Sequence, residues 1–387
     1  MSETIILNKF PNIDEFYNKY WGKKPFIVRN AIDKNIFNTL IDGDSLAGLA
    51  LEEDIKSRLV ISEPENNKWA CHHGPFDEDK FSTLEDSNWS LLVQNVDQYH
   101  PETSQLLEAF NFSPLWLMDD IMVSYSTVGG SVGPHTDSYH VFLVQGKGKR
   151  KWKISHDIIE NEEHLDNIEL LVLKDGFEGS ETEVSIGDVI YIPPHFGHEG
   201  VTTEEAMTFS VGFLGPKLSE MMAEYSHYLE QRPELNKRYT GQGLDPSSAA
   251  FSIAPTAINS IGNHLIDTIE DNSFSTWMAE YFSTSTHDEY HSSDSEKDDI
   301  DSADLLNYLK DGSMLYRPEH IKIAMTESDN GSTNLAAYGE IIIIPTAYQE
   351  IVSWLNNNHR ISIDDINEDE LITLVTELYN KGILVME

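Results

Sequence analysis

Residues Val132–Ile154 read VGPHTDSYHVFLVQGKGKRKWKI, and the fold follows from how this stretch is punctuated. Tyr139–Gln145 is a short apolar run rich in β-branched and aromatic residues. Gly146 and Gly148 interrupt it, and Lys149–Ile154 resumes an alternation of polar and apolar residues, so the spacing predicts two strands. Just upstream, His135 and Asp137 stand two apart. On extended backbone, residues i and i+2 project from the same side, so an imidazole and a carboxylate can meet at one point. A single His-x-Asp recurs by chance in a chain with this many of both residues, and it needs a third group before it carries chemistry.

Asp188–Gly200, DVIYIPPHFGHEG, offers that group. A hydrophobic strand runs into Pro193-Pro194, a rigid turn, and delivers either His195 or His198 at its end. We read His198 as the ligand and His195 as a histidine of the rim. The separation of 198 − 135 = 63 residues suits a chain that crosses a barrel and returns. Two histidines and a carboxylate on one face of an octahedral ion form the arrangement of non-haem Fe(II) oxygenases, which leaves the opposite face open.

The same short β-rich pattern extends on both sides, at Arg58–Ser62, Trp89–Gln94, Ile121–Ser126, Asp188–Ile192 and Met207–Phe213, with one helix around Glu102–Phe110. Many short strands with Gly and Pro between them argue for a sandwich or barrel. After Gly215-Pro216 the period becomes helical, with Leu218, Met221, Met222, Tyr225 and Leu229 first, then Ile258–Ile269 and Phe274–Phe282. Between Asp288 and Asp304 there are eight acidic residues and one Lys, which reads as a solvated linker. The tail alternates helix, strand (Ile341–Ile344), helices from Pro345 and over Leu371–Tyr379, and a strand at Ile383–Met386. The expected organisation is a catalytic domain over 1–215, a helical region over 216–287, the acidic linker over 288–304 and a winged-helix-like domain over 305–387.

The 387 residues carry 26 Lys+Arg against 66 Asp+Glu, a formal charge of −40. Such a surface repels a phosphate backbone, so nucleic acid is a poor partner and a basic protein a better one; Asp364, Asp365, Glu368, Asp369 and Glu370 give the tail the wrong sign for DNA as well. The N-terminus lacks the basic-then-apolar pattern of a secretion signal and no run of about 18 apolar residues occurs, so the expectation is a cytoplasmic protein with no membrane association. The single cysteine, Cys71, fits a reducing compartment. It stands beside His72 and His73, but neighbours on a strand point to opposite sides, so all three cannot face one ion, and we read the group as structural.

Taken together, these segments resemble the JmjC family of cupin-fold, 2-oxoglutarate-dependent oxygenases, and within it the bacterial ribosomal oxygenases that hydroxylate an arginine of large-subunit ribosomal protein sixteen. The resemblance rests on YWGKKPFIVRNA (Tyr20–Ala31), SRLV (Ser57–Val60), HGPF (His73–Phe76), GGSVGPHTDSYHVFLVQGKGKRKW (Gly129–Trp152), IPPHFGHEG (Ile192–Gly200) and FSVGF (Phe209–Phe213), and covers the first 215 residues. It implies a double-stranded β-helix jelly roll, followed by a helical dimerisation region and a winged-helix-like domain. It further implies Fe(II) on His135, Asp137 and His198, with 2-oxoglutarate and dioxygen consumed and succinate and CO2 released. The far carboxylate of 2-oxoglutarate would meet Arg150, whose fork gives a bidentate charge-assisted pair, although one register step would turn Lys149 or Lys151 inward instead. Ser124, and opposite it Ser210, would contact the co-substrate. Asp119 and Asp120 are candidates to hold a substrate guanidinium, and a homodimer is implied. His140 departs from the pattern, standing where an acidic residue is expected. Two alternatives stay open: the same chemistry on another residue, as histidyl hydroxylase or lysine demethylase, and a non-catalytic cupin-fold protein-binding module.

Overall fold

A computed structural model describes residues 4–63, 66, 68–166, 168–246, 249–284 and 299–387. The chain forms two compact units, Met1–Gly215 and Pro216–Glu387. Most of the acidic run, 288–298, lies outside the described residues.

The first unit is a jelly roll. Its strands are β1 (Ile5–Leu7), β2 (Phe26–Val28), β3 (Ser57–Glu63), β4 (Lys68–His73), β5 (Trp89–Val93), β6 (Ile121–Ser126), β7 (His140–Ile158), β8 (Gly179–Ser185), β9 (Val189–Ile192) and β10 (Phe196–Phe213). They pair in the order β1-β2-β9-β7-β10-β6-β5-β3-β4, with β8 on β7. Two long antiparallel strands organise the whole: β7 and β10 run together from His198 opposite Ile154 to Phe213 opposite His140. The first half of β7 is flanked by β9 and the second half by β8. The two strands expected around Gly146 and Gly148 are therefore one. Gly148 has φ +60°, where a Cβ would overlap the Glu205 carbonyl, and the β7–β10 register shifts there between Glu204 and Met207. The glycines mark a bulge that bends a continuous strand.

Alternation along β7 divides its residues between two cores. Phe142 and Val144 join Phe16, Phe26 and Tyr191 in the outer cluster, covered by the N-terminal helical segments, while Val141, Leu143, Trp152 and Ile154 face the barrel interior with Ile190 and Phe196. A strand buried on both faces reads as a continuous apolar run, as YHVFLV does.

In the second unit, α1 (Leu218–Glu230), α2 (Pro255–Ile269) and α3 (Asn272–Ser283) come first. Tyr225 and Tyr228 pack on Trp277, and their hydroxyls donate to the Thr268 and Ser273 carbonyls at 2.8 and 3.2 Å. Then follow α4 (Ser302–Lys310), β11 (Leu315–Tyr316), β12 (Ile323–Glu327), β13 (Thr333–Ala337), β14 (Glu340–Ile344), α5 (Glu350–Asn356), α6 (Asp369–Asn380) and β15 (Val385–Met386). A three-stranded sheet, β12-β13-β14, carries this helical module. The strand expected over Ile383–Met386 is shortened to its last two residues, because Gly382 at φ +73° turns the chain and Ile383 and Leu384 are core residues. Among the described residues no helix is long and apolar enough to cross a membrane.

Candidate active site

His135 lies on extended chain between β6 and β7, and His198 at the start of β10. The two residues exchange both backbone hydrogen bonds, at 3.0 and 2.9 Å. Paired in this way, their rings sit side by side with centroids 4.1 Å apart. Each ring is oriented by the carbonyl two residues before it: His135 Nδ1 is 2.9 Å from the Gly133 oxygen and His198 Nδ1 is 3.0 Å from the Phe196 oxygen. A carbonyl can only accept, so each Nδ1 carries a proton and each Nε2 is left for another partner. Asp137 Oδ2 is 3.4 Å from His198 Nε2. One ligand atom from each of the three residues lies within 4.8 Å of the others.

The protonation states suit a cation. Burial pushes the His135 imidazole down to about 4, and the neighbouring His198 adds to the shift. Burial works to raise Asp137, but the adjoining His198 and His135 outweigh it and hold the carboxyl below its ordinary value. Two imidazoles, each with Nε2 left for another partner, and one carboxylate form a donor set that fits a divalent ion such as Fe(II).

His195, the other histidine of the motif, is turned away. It sits at φ +63° with its ring largely exposed, 3.4 Å from Glu162, while its backbone N–H donates to the Asp137 carbonyl at 2.8 Å. It steadies the chain beside the three ligands through its backbone.

The triad faces a cavity of about 400 Å³ that is also lined by Arg150, Ser124 and Ser210. The register question at Lys149–Lys151 resolves physically: Lys149 and Lys151 pair with Glu204 and Glu181 on the surface, and Arg150 points inward, 5% exposed. Its Nε donates to Thr202 Oγ1 at 3.1 Å, Nη2 to Ser126 Oγ at 3.0 Å, and Nη1 to Thr208 Oγ1 and Ser124 Oγ at 3.3 and 3.5 Å. All four partners are neutral hydroxyls. Burial alone pulls the guanidinium down to about 10, and an unpaired buried cation of this kind is a ready seat for an anion. Thr202, Ser126 and Thr208 are not singled out by the sequence reading, yet two of them carry a signal: Ser124/Ser126 on β6 and Thr208/Ser210 in the last stretch of β10, AMTFSVGF, are i, i+2 pairs of small hydroxyls in otherwise apolar surroundings.

Asp120 lines the same cavity, whereas Asp119 is exposed. Loss of water around Asp120 raises its carboxyl to about 7, against the hydrogen bond it accepts from the Asn95 N–H at 3.1 Å. His140 is not among the lining residues; it stacks on Trp21 at 3.6 Å with Nδ1 2.8 Å from the Tyr191 hydroxyl. Other lining residues the sequence did not point to are Arg58, Trp152 and Tyr139.

Residues 105–221 match the JmjC domain family and residues 263–385 the ROXA-like winged helix. The chain is 36% identical over 279 residues to the ribosomal protein uL16 3-hydroxylase of Escherichia coli strain K12, covering 72% of this chain and 73% of that protein. The X-ray structure of E. coli ycfD superposes with a TM-score of 0.78 at 30% identity, covering 97% of this chain and 98% of that one. The structure of YcfD, a ribosomal oxygenase from E. coli, in complex with cobalt and 2-oxoglutarate gives a TM-score of 0.76 at 30% identity over the same shares.

Proposed function

Since the chain belongs to the ribosomal oxygenases of the JmjC family, we propose that it is a 2-oxoglutarate- and Fe(II)-dependent dioxygenase that hydroxylates an arginine side chain of a large-subunit ribosomal protein. The observation that carries this reading is the joint occurrence, in one cavity, of a His-Asp-His donor set and a buried arginine whose partners are all neutral. His135, Asp137 and His198 would hold the metal, and with 2-oxoglutarate and dioxygen that group supplies the oxidation of an unactivated C–H bond that side chains cannot perform.

The protein's own contribution is binding and orientation. Arg150 gives its fork to the far carboxylate of 2-oxoglutarate, with Ser124 and Ser210 as flanking hydroxyls. Val141, Leu143 and Trp152 keep that end of the cavity dry, which strengthens the ion pair. Asp120 accepts the substrate guanidinium, and its raised pKa comes from burial that a bound cation would offset.

We read residues 1–215 as the catalytic domain, 216–287 as a helical dimerisation region and 305–387 as a winged-helix-like domain that contacts protein. A homodimer is supported by the outer face of α2, where Ile258, Ile261, Leu265 and Ile269 recur at helical spacing and stay exposed. Leu218 and Met222 on α1 are exposed as well, while Tyr225 is spent on the internal cluster.

The deciding experiment is anaerobic reconstitution with Fe(II), then addition of 2-oxoglutarate, air and a basic large-subunit ribosomal protein, with mass spectrometry of product and succinate. One added oxygen on an arginine is expected from the wild type and none from His135→Ala. Oxygen on a histidine, loss of a methyl carbon, or no succinate would overturn the reading.

A further inference from the structure

We propose that Cys71, His73 and Glu169 form a second metal site, for a borderline-soft divalent ion of the Zn²⁺ class, on the rim of the cavity. Cys71 and His73 are i, i+2 on β4, so they share a face, while His72 between them points the other way. The trio Cys71-His72-His73 cannot converge, but this pair can, and Glu169 completes it from a segment 96 residues further on. Cys71 Sγ is 3.9 Å from His73 Nε2, His73 Nε2 is 2.5 Å from Glu169 Oε2, and the three ligand atoms all lie within 4.8 Å of one another.

These separations are close to what the ion requires. With Zn–S near ~2.3 Å and Zn–N and Zn–O near ~2.0–2.2 Å, tetrahedral ligands stand about 3.3–3.6 Å apart. The sulfur–nitrogen pair has to close slightly and the nitrogen–oxygen pair to open. Both movements are easy, because the His73 and Glu169 side chains are 56% and 72% exposed. A water would take the fourth position. Thiolate, imidazole and carboxylate together select Zn²⁺ or its relatives over Mg²⁺ and Ca²⁺, which prefer all-oxygen shells.

The anchoring on both sides is firm. β4 is held to β3 with Val60 opposite Cys71 and Arg58 opposite His73. The Glu169 segment is pinned by Leu170 and Val172 in the cluster with Val60, Trp69 and Leu92, and by the Leu173 N–H to the Pro134 carbonyl at 2.7 Å. Glu169, Leu170 and Leu171 line the cavity. An ion here would tie that wall to β4, beside the entrance and apart from the His135-Asp137-His198 set. Without an ion, burial raises the Cys71 thiol above its ordinary value while Arg58 works the other way, so binding an ion here would take a proton off the sulfur.

Because Cys71 is the only cysteine in the chain, the test has an unambiguous signature. Titrating metal-free full-length protein with Co²⁺ under reducing conditions should produce a near-ultraviolet thiolate-to-cobalt charge-transfer band, which the nitrogen and oxygen donors of the triad cannot give. The band should be lost in Cys71→Ser and in the double variant His73→Ala/Glu169→Ala, both leaving the visible cobalt bands of the triad and the circular dichroism spectrum unchanged. Stoichiometric Zn²⁺ should bleach it and should protect Cys71 from iodoacetamide in the wild type. No charge-transfer band in the wild type, or a band that survives in the double variant, would overturn the proposal without touching the oxygenase reading.

Discussion

Replacing Arg150 by methionine separates anchoring of the co-substrate from support of the fold. The Arg150 guanidinium is 5% exposed and donates to four hydroxyls. Its fall to about 10 through burial is worth about 3 kcal/mol of desolvation, present at neutral pH because the group is charged there. Binding the far carboxylate of 2-oxoglutarate offsets that cost with two charge-assisted hydrogen bonds, each contributing roughly 1.5–3 kcal/mol. Removing the fork should then weaken 2-oxoglutarate binding by about 3–5 kcal/mol, between roughly a hundredfold and several-thousandfold. The fold should tolerate the change. Methionine fills most of the volume, Ser126 keeps the Ser90 hydroxyl at 2.6 Å, Thr208 keeps Gln145 at 3.3 Å and Ser124 keeps the Thr208 carbonyl at 3.4 Å, so Thr202 alone is stranded among the four. An unpaired buried cation also disappears, which favours the folded state. Calorimetric titration with 2-oxoglutarate on the metal-loaded protein and thermal melting of the unliganded one read the two effects apart. A variant that binds 2-oxoglutarate within about threefold of wild type, or that melts far lower without it, would refute the assignment and make Arg150 a structural residue.

Three further outcomes follow from the same geometry. Asp120→Asn should raise KM for the ribosomal-protein peptide while Asp119→Asn, exposed and outside the cavity lining, leaves it unchanged. Since the Asp120 carboxyl is held up to about 7, ionisation above that value should make the wild-type KM fall as pH rises through the neutral range, a trend the Asn variant must lack. His135 and His140 are held by burial at about 4, below their ordinary 6.5; the unfolded chain therefore takes up protons the folded one refuses, and stability present above pH 6.5 is lost as pH falls toward 4. Denaturation of metal-free protein across that window should show a shallower acid slope for His140→Gln, and equal slopes would show that His140 is not responsible. Light scattering should give a dimer mass at micromolar concentration and a monomer for Leu265→Asp, with unchanged circular dichroism; a monomeric wild type would remove the role assigned to the α2 face.

Much of the jelly roll was legible in the sequence because its strands are buried on both faces and written in continuous apolar runs, as in Tyr139–Gln145 and Asp188–Ile192. Gly146–Gly148 shows the limit of local punctuation: glycine signals a special backbone conformation, but a turn and a bulge demand the same one, and only the partner strand β10 distinguishes them. β8 carries no such signal because GSETEVS is mostly polar, with Val184 its sole buried residue; it pairs with β7 along an exposed edge and has no apolar face. The His-x-Asp and the second histidine were visible because i, i+2 placement is a property of any extended chain. The convergence of hydroxyls on Arg150 is not legible in the same way, since it draws on β6 and β10, and hydroxyl positions on strands distant in sequence meet only once the sheet order is known.

The charge distribution gives the −40 of the whole chain a more local meaning. The lysines of the GKGKRK run would have been the natural cations for an anionic co-substrate, yet Lys147, Lys149 and Lys151 are each paired with a surface glutamate, Glu205, Glu204 and Glu181, at roughly half exposure. Such exposed pairs add little stability; what they do is leave Arg150 as the cation that meets the cavity from this run. Only the acidic groups bordering the cavity can tell one basic substrate residue from another, because screening removes the influence of exposed charges beyond about 10 Å at ordinary ionic strength. Asp120 lies within the cavity lining, together with Asp137 and Glu169. Exposed carboxylates thus act on encounter, as a salt-dependent gain in association rate, while discrimination is left to the side chains that line the cavity, where Asp120 is the desolvated carboxylate outside the His135-Asp137-His198 set and Arg150 a buried guanidinium.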